Sequence, residues 1–229
     1  MSPKLVLVSN HIGNEKDLPP RTKELLQSAD LIIGEEARTT STLLKKLGIE
    51  KDFILFNEHS DKQETEDLLT RLLNTALACM ISDSGSPGIE DPAKKLVPLA
   101  WEYGIQVSVG PGPTAAMAAL TASGFQSSPF LFLGFLPKEQ RVREQELKRY
   151  LSLGMTLVLY ETAYRTKHVL ESLSKIVPGD RRIFLHLDIS TEYETSYRGT
   201  AKEVLSRAKL HNKSLPVFVI EEKKTGRQR

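Results

Sequence analysis

A chain of 229 residues with 40% apolar and 26% charged side chains has the make-up of a folded globular protein, which excludes a disordered tail, a collagen and a mini-protein. The net charge of +2 singles out no partner. The lone Cys79 excludes an internal disulfide and reads as a buried small apolar residue, with a reactive thiol as the alternative. No apolar run approaches the ~20 residues of a membrane span, and the N-terminal apolar run is too short for a signal-peptide core. The expected location is the cytoplasm, with no membrane partner.

From the N-terminus onward, short β-rich runs alternate with amphipathic stretches, which predicts an α/β fold. Strands are expected at Leu5–Ser9, Leu31–Gly34 and Phe53–Phe56. A capping box of Ser60 with Gln63 then opens a helix carrying Leu68, Leu69, Leu72 and Leu73. A strand at Leu77–Ser82 follows, and after it a helix that Asp91 caps, Pro92 begins and Gly104 stops. The strand Ile105–Val109 leads into Gly110-Pro111-Gly112-Pro113 and a small-residue helix, Ala115–Ala122. Beyond it come strands at Pro129–Leu133 and Met155–Tyr160, separated by a polar helix, Lys138–Leu151. Strands at Arg182–Leu187, Thr195–Arg198 and Leu215–Ile220 complete the pattern, with Thr200 and Glu203 forming a second capping box.

The Gly-Pro run is the natural boundary, giving two α/β domains, 1–112 and 113–229. Charge changes sign there: the first part has 12 basic and 17 acidic residues, net −5, and the second 19 and 12, net +7. A basic second half points to an anionic ligand, or to solvated helix faces.

Three loops follow a strand and precede a helix, the position where open α/β sheets bind ligands. They are Ser9–Asn14, Ser82–Pro92 and Gly110–Ala115. The second combines two Gly, two Pro and small hydroxyls, a composition suited to a stiff loop that binds through its main chain. Other chemistries lack their residues. No Gly-Lys-Ser/Thr triplet is present for a phosphate loop, and the first loop has a single Gly where a dinucleotide fingerprint needs three. No G-x-S-x-G elbow occurs. The five histidines show no ligand spacing, so no metal is expected.

In order and spacing these loops resemble the tetrapyrrole methylase superfamily, and most closely its branch of ribosomal RNA small subunit 2′-O-ribose methyltransferases. Asn10-His11-Ile12-Gly13-Asn14 is similar to T-P-I-G-N, and Glu35–Thr40 to E-D-T-R-x-T. Asn57–Asp61 resembles H-E-H-N-E, and Ser82–Pro92 resembles S-D-A-G-T-P-G-I-S-D-P. Pro111–Ala115, Gly134–Pro137 and Tyr160–Arg165 match P-G-P-S-A, G-F-L-P and Y-E-S-P-H-R in turn. Departures fall on the substrate side. His11 replaces a Pro, Leu187–Thr191 stands where the branch has R-E-L-T-K, and the chain is expected to be a short form lacking a C-terminal helical extension.

The resemblance implies two α/β domains with a cofactor cleft between them and S-adenosylmethionine as the cofactor. It further implies that Gly85, Ser86, Pro87 and Ile89 line the methionine and ribose portion, with Asp83 in the same loop and Ile12 and Gly13 beneath. Thr114 and Ala115 are expected at the junction, and Tyr160, Leu215, Pro216 and Val217 towards the adenine. For Ile12, Ile89, Tyr160 and Val217 core packing is the alternative. A ribose hydroxyl needs its proton removed; Glu36, Glu58, His59, Asp83 and Glu161 are candidates. Glu36, Arg38 and Glu161 are taken as the catalytic set, while Arg38 and Arg165 suit phosphate or carboxylate contacts. A salt bridge between Glu36 and Arg38 and a loop cap by Asp83 are the plainer readings. The expected activity is methyl transfer to RNA by a homodimer. Transfer to a tetrapyrrole or other small anion, and a non-catalytic cofactor- or RNA-binding module, are the alternatives.

Overall fold

In a computed structural model describing residues 2–211 and 213–223, one unit ends at Thr114 and a second begins at Ala115. The first contains β1 (Lys4–Val8), α1 (Pro20–Ser28), β2 (Leu31–Gly34), α2 (Ala37–Leu47), β3 (Phe53–Leu55), α3 (Lys62–Leu73), β4 (Leu77–Ile81), α4 (Ala93–Glu102) and β5 (Gln106–Gly110). Its strands form a parallel sheet ordered β3-β2-β4-β1-β5. The runs Leu-Val-Leu-Val in β1 and Leu-Ala-Cys-Met-Ile in β4 are apolar throughout because the central strands of a covered parallel sheet are buried on both faces. Alternation divides them cleanly. Leu5, Leu7, Ile33, Ala78 and Met80 pack with Leu68, Leu69 and Leu72 of α3 and Leu96 of α4. Val6, Val8, Ile32, Cys79 and Ile81 pack with Leu26 of α1 and Leu43 and Leu44 of α2. Burial pushes the Cys79 thiol up to about 12, so it stays protonated and unreactive in the folded state.

The second unit contains α5 (Ala115–Ser123), β6 (Phe130–Phe135), α6 (Gln140–Ser152), β7 (Thr156–Tyr160), α7 (Thr166–Ile176), β8 (Arg182–Leu187), β9 (Thr195–Thr200), α8 (Ala201–Arg207) and β10 (Pro216–Ile220). Its mixed sheet runs β6-β7-β10-β8-β9, parallel only between β6 and β7. Leu157, Leu159, Ile183, Leu185, Phe218 and Ile220 face Leu147 and Leu151 of α6, Leu170 and Leu173 of α7 and Val204 of α8. Helix α5, built of Ala and other small residues, contacts β7, β8 and β10. Arg181, 2% exposed, ties four segments together. Its guanidinium donates to the Glu221, Leu151 and Met155 carbonyls at 2.7, 2.9 and 3.0 Å.

All ten expected strands form, with ends moved by a residue or two. The Thr200–Glu203 capping box is present. The other box is a correction. The cap of α3 is Asp61, reciprocated by Glu64, while the Ser60 hydroxyl accepts from the Asn57 amide. Asp outcompetes Ser here because its carboxylate meets the positive helix end.

Candidate active site

Parallel register brings four strand ends of the first unit to one level: Val8 lies beside Ile81 and Gly110, and Gly34 beside Ile81. Chain leaving β1 runs to β2 on one face, and chain leaving β4 runs to β5 on the other. The sheet therefore opens a crevice between β1 and β4. Asn10, buried at the end of β1, clasps the two loops there. Its side-chain amide donates to the Ser82 and Asp83 carbonyls, its own carbonyl oxygen accepts from the His11 amide, and its backbone N–H donates to Gly85 O at 2.8 Å. Gly85 N returns a bond to His11 O. The third loop joins through the Ser9 amide, which donates to Gly110 O, and through Ser86, whose hydroxyl lies 3.1 Å from that of Ser9 and 3.5 Å from Pro113 O.

The expected residues of this unit are thus drawn together. Ile12 lies against Gly85, whose φ is +72° and whose hypothetical Cβ would lie 3.3 Å from Ile12 Cγ2 and 3.4 Å from Pro113 O. Gly13 follows in the same turn. Pro87 is buried, and Ile89 presents an apolar side chain 44% exposed. Asp91 fastens the far end, accepting from Gly88 N and Ala93 N. Thr114 is half-buried where the third loop ends.

An acidic pair spans the loops after β2 and β4. Asp83 N donates to Glu35 Oε2 at 3.2 Å, while the Asp83 carboxyl accepts from the Glu36 backbone and the Thr39 hydroxyl. Burial raises both carboxyls above their ordinary values, for Asp83 with help from the charge of Glu36. As pH falls through raised values the folded state takes up protons before the unfolded chain, so stability rises; as pH climbs past them that gain is lost. Glu35→Gln, uncharged throughout, is expected to match or exceed the parent in thermal midpoint at neutral pH. It should lose ground as pH drops towards the ordinary glutamate value of 4.5. Melts of both proteins across this range check the expectation, and a constant difference would contradict it.

Glu36 and Arg38 stand at the N-terminal end of α2. Both are exposed, Glu36 makes no side-chain cap, and neither forms an ion pair among the described residues. The Glu36–Arg38 bridge is therefore absent. The side chains of Glu58 and His59 lie 3.5 Å apart and well exposed, with no other ion pair among the described residues.

In the second unit Tyr160 at the end of β7 pairs in register with Val217, and Pro216 with Leu187, so Tyr160, Leu215, Pro216 and Val217 share one end of the sheet. The Tyr160 hydroxyl accepts from Ala116 N at 3.1 Å, fixing the start of α5 beside Ala115. Leu215 is exposed, whereas Pro216 and Val217 are buried. Glu161 is placed differently from Glu36: its side chain is 0% exposed, with Oε2 3.0 Å from Arg165 Nη2 and Oε1 accepting from Thr162 N at 2.7 Å. Arg165 in turn donates to the Leu136 and Pro137 carbonyls. In this conformation the pair organises main chain, and the carboxylate is shut off from solvent, its Oε2 beside the Arg165 charge but without a hydrogen-bond partner. Sequence reasoning assigned no role to Asn10, Glu35 or Arg143; a lone Asn at a strand end was the only local sign of the clasp.

The residues present fit the expected cofactor. Gly85 and Gly88 leave main chain bare, Ile12 and Ile89 supply apolar surface, and His11 Nδ1 is a buried polar atom without a partner. The described residues contain no group of three or more His, Cys, Asp or Glu arranged for a metal.

A doubly wound unit with stitched strand-end loops, followed by a mixed-sheet unit, defines a class, and residues 4–205 match the family described as Tetrapyrrole (Corrin/Porphyrin) Methylases. The chain belongs to that family. It is 45% identical over 226 residues to Ribosomal RNA small subunit methyltransferase I of Leptospira borgpetersenii serovar Hardjo-bovis, covering 97% of this chain and 89% of the relative. It is also 34% identical to the protein of that name from Thermotoga maritima, covering 89% and 90%. Among solved structures, uroporphyrin-III C-methyltransferase of Thermus thermophilus in complex with S-adenosylhomocysteine shares the fold, with a TM-score of 0.66 at 16% identity over 96% of this chain and 97% of that one.

Proposed function

We propose that the protein transfers the methyl group of S-adenosylmethionine to a ribose 2′-hydroxyl of small-subunit ribosomal RNA. The observation that carries this reading is the 45% identity to a ribosomal RNA methyltransferase over 97% of the chain, supported by the strand-end crevice of the first unit. Ile12, Gly13, Asp83, Gly85, Ser86, Pro87, Ile89 and Thr114 are the cofactor-holding residues proposed from that unit. Ala115, Tyr160, Leu215, Pro216 and Val217 are those proposed from the second.

The sulfonium supplies an already activated methyl group, so the protein's share is orientation and exclusion of water. The rigid, mutually bonded loops suit that task. Glu36 is proposed to take the hydroxyl proton, since its carboxylate is exposed and forms no ion pair among the described residues, and Arg38 to meet a phosphate. Glu161 is proposed to act by holding Arg165 in place. We further propose a homodimer working in the cytoplasm; light scattering of the purified protein tests the first, and fractionation of cells the second. Among the described residues no helix is long and apolar enough to cross a membrane.

Transfer of labelled methyl to small ribosomal subunits lacking the modification, run beside a tetrapyrrole precursor, tests the function. Label in the precursor alone would overturn the RNA reading. Arg38→Ala is expected to raise the KM for subunits about tenfold, the order of one charge-assisted contact, and to flatten the salt dependence of RNA binding, while the affinity for S-adenosylhomocysteine stays within about twofold. Equal losses for both ligands would remove Arg38 from the RNA side.

A further inference from the structure

Strand β6 ends in an irregularity. Phe130, Leu131 and Phe132 pair with Thr156, Leu157 and Val158, but the next pair is Phe135 with Tyr160. Three steps on β6 answer two on β7, so β6 carries one extra residue, and Gly134 takes up the turn with φ +59°. Strict alternation puts Phe132 and residue 134 on one face and Phe135 on the other. The bulge reverses this and aims Phe135 onto the face of Phe132 and Tyr160. The three rings meet there, Phe132 edge-on to Tyr160 at 5.0 Å and Phe135 tilted against it at 6.0 Å. Even so, Phe135 remains 43% exposed.

The segment after Phe135 is tied down by side-chain donors. Arg165 donates to Leu136 O at 2.7 Å and to Pro137 O, and buried Arg143 donates to Lys138 O at 2.9 Å and to Pro137 O. Two guanidiniums thus hold three successive carbonyls, one of them backed by the buried Glu161 carboxylate. Fixing an exposed ring this rigidly has a use if the ring is a contact surface. Its neighbours indicate for what: Lys138 and Arg141 are exposed and form no ion pair among the described residues, and Glu139 is spent on capping α6. A fixed aromatic face beside unpaired cations is the arrangement that stacks a base and meets its phosphates.

We propose that Phe135 is the platform on which a base of the RNA acceptor strand stacks, with Lys138 and Arg141 reaching the adjoining phosphates. Arg165 and Arg143 are positioning residues for that platform. The proposal rests on the RNA reading above and adds to it a residue and a mode of contact.

Phe135→Ala, Phe135→Leu and Phe135→Trp test it, with subunit methylation, calorimetry against S-adenosylhomocysteine, and anisotropy of a fluorescent single-stranded RNA oligonucleotide. Alanine is expected to raise the KM for subunits and weaken oligonucleotide binding by about tenfold, the order of one stacked base. Leucine, of similar apolar bulk without a π face, should lose nearly as much; tryptophan should retain parental values. Alanine should lower the melting temperature by only a few degrees, the cost of a half-buried ring, with cofactor affinity within about twofold of the parent in all three variants. Leucine equal to the parent would overturn stacking. A parallel fall in S-adenosylhomocysteine affinity would assign the ring to the cofactor, and a change in molecular mass would assign it to contact between copies. Should the parent methylate no RNA at all, the functional reading fails, and the oligonucleotide measurement still decides whether the ring stacks bases.

Discussion

Gly85→Val is expected to weaken S-adenosylhomocysteine binding by about a hundredfold or more, near 3 kcal/mol. The residue sits at φ +72°, a region that a β-branched side chain occupies only under strain of roughly 1–3 kcal/mol. Its Cβ would already lie 3.3 Å from Ile12 Cγ2 and 3.4 Å from Pro113 O, and the two γ-carbons of valine reach further. Relief by rotating the peptide is blocked, because Gly85 N and Gly85 O are both bonded across to the first loop. The variant must shift Ile12, Pro113 or the clasp itself, and each belongs to the proposed cofactor surface or its support. Gly85→Ala should fall between. Calorimetry on folded protein checks this, and parental affinity in a folded valine variant would remove the loop from the site.

The second large effect is one of stability. Arg181→Ala is expected to cost about 3–5 kcal/mol, because it strips donors from three carbonyls in a buried setting, each unmet acceptor costing about 1–3 kcal/mol. Those carbonyls lie at the end of α6, before β7 and after β10, so the loss loosens three connections at once. For a unit of this size the thermal midpoint should fall by about 10 °C or more. Burial lowers the guanidinium pKa from its ordinary value, yet arginine keeps its charge, and with it all its donors, at neutral pH. Arg198→Ala, at an exposed position where the guanidinium meets one carbonyl and the Phe125 ring, serves as the comparison and should cost about 1–2 kcal/mol. Equal midpoints for the two variants would contradict the account.

Local patterning made the strands legible. Leu5–Val8 and Leu77–Ile81 are apolar on both faces, and no helix period competes with them. The three loops were legible because Gly, Pro and small hydroxyls collect where strands end. What sequence could not reveal depends on partners far along the chain. The Asp83 amide meets Glu35 across 48 positions, and the Asn10 side chain reaches Asp83 across 73; neither spacing has a periodic trace. Glu161 looked like a free carboxylate because its burial arises from the fold around β7, and nothing in Tyr160–Arg165 announces it. The reversal of Phe135 was hidden for the same reason, since a bulge exists only relative to the strand beside it.

The chain's single thiol lies at the centre of the first sheet, with no exposure and a strongly disfavoured thiolate. A thiol-specific reagent can reach it only after β4 has been uncovered, so the rate of labelling in native buffer measures how often the first unit opens. The second unit contains no thiol and is silent in that measurement. Opening of the cofactor loops' own scaffold can therefore be followed separately from the rest of the chain, and a ligand held by those loops should slow the labelling in proportion to its occupancy.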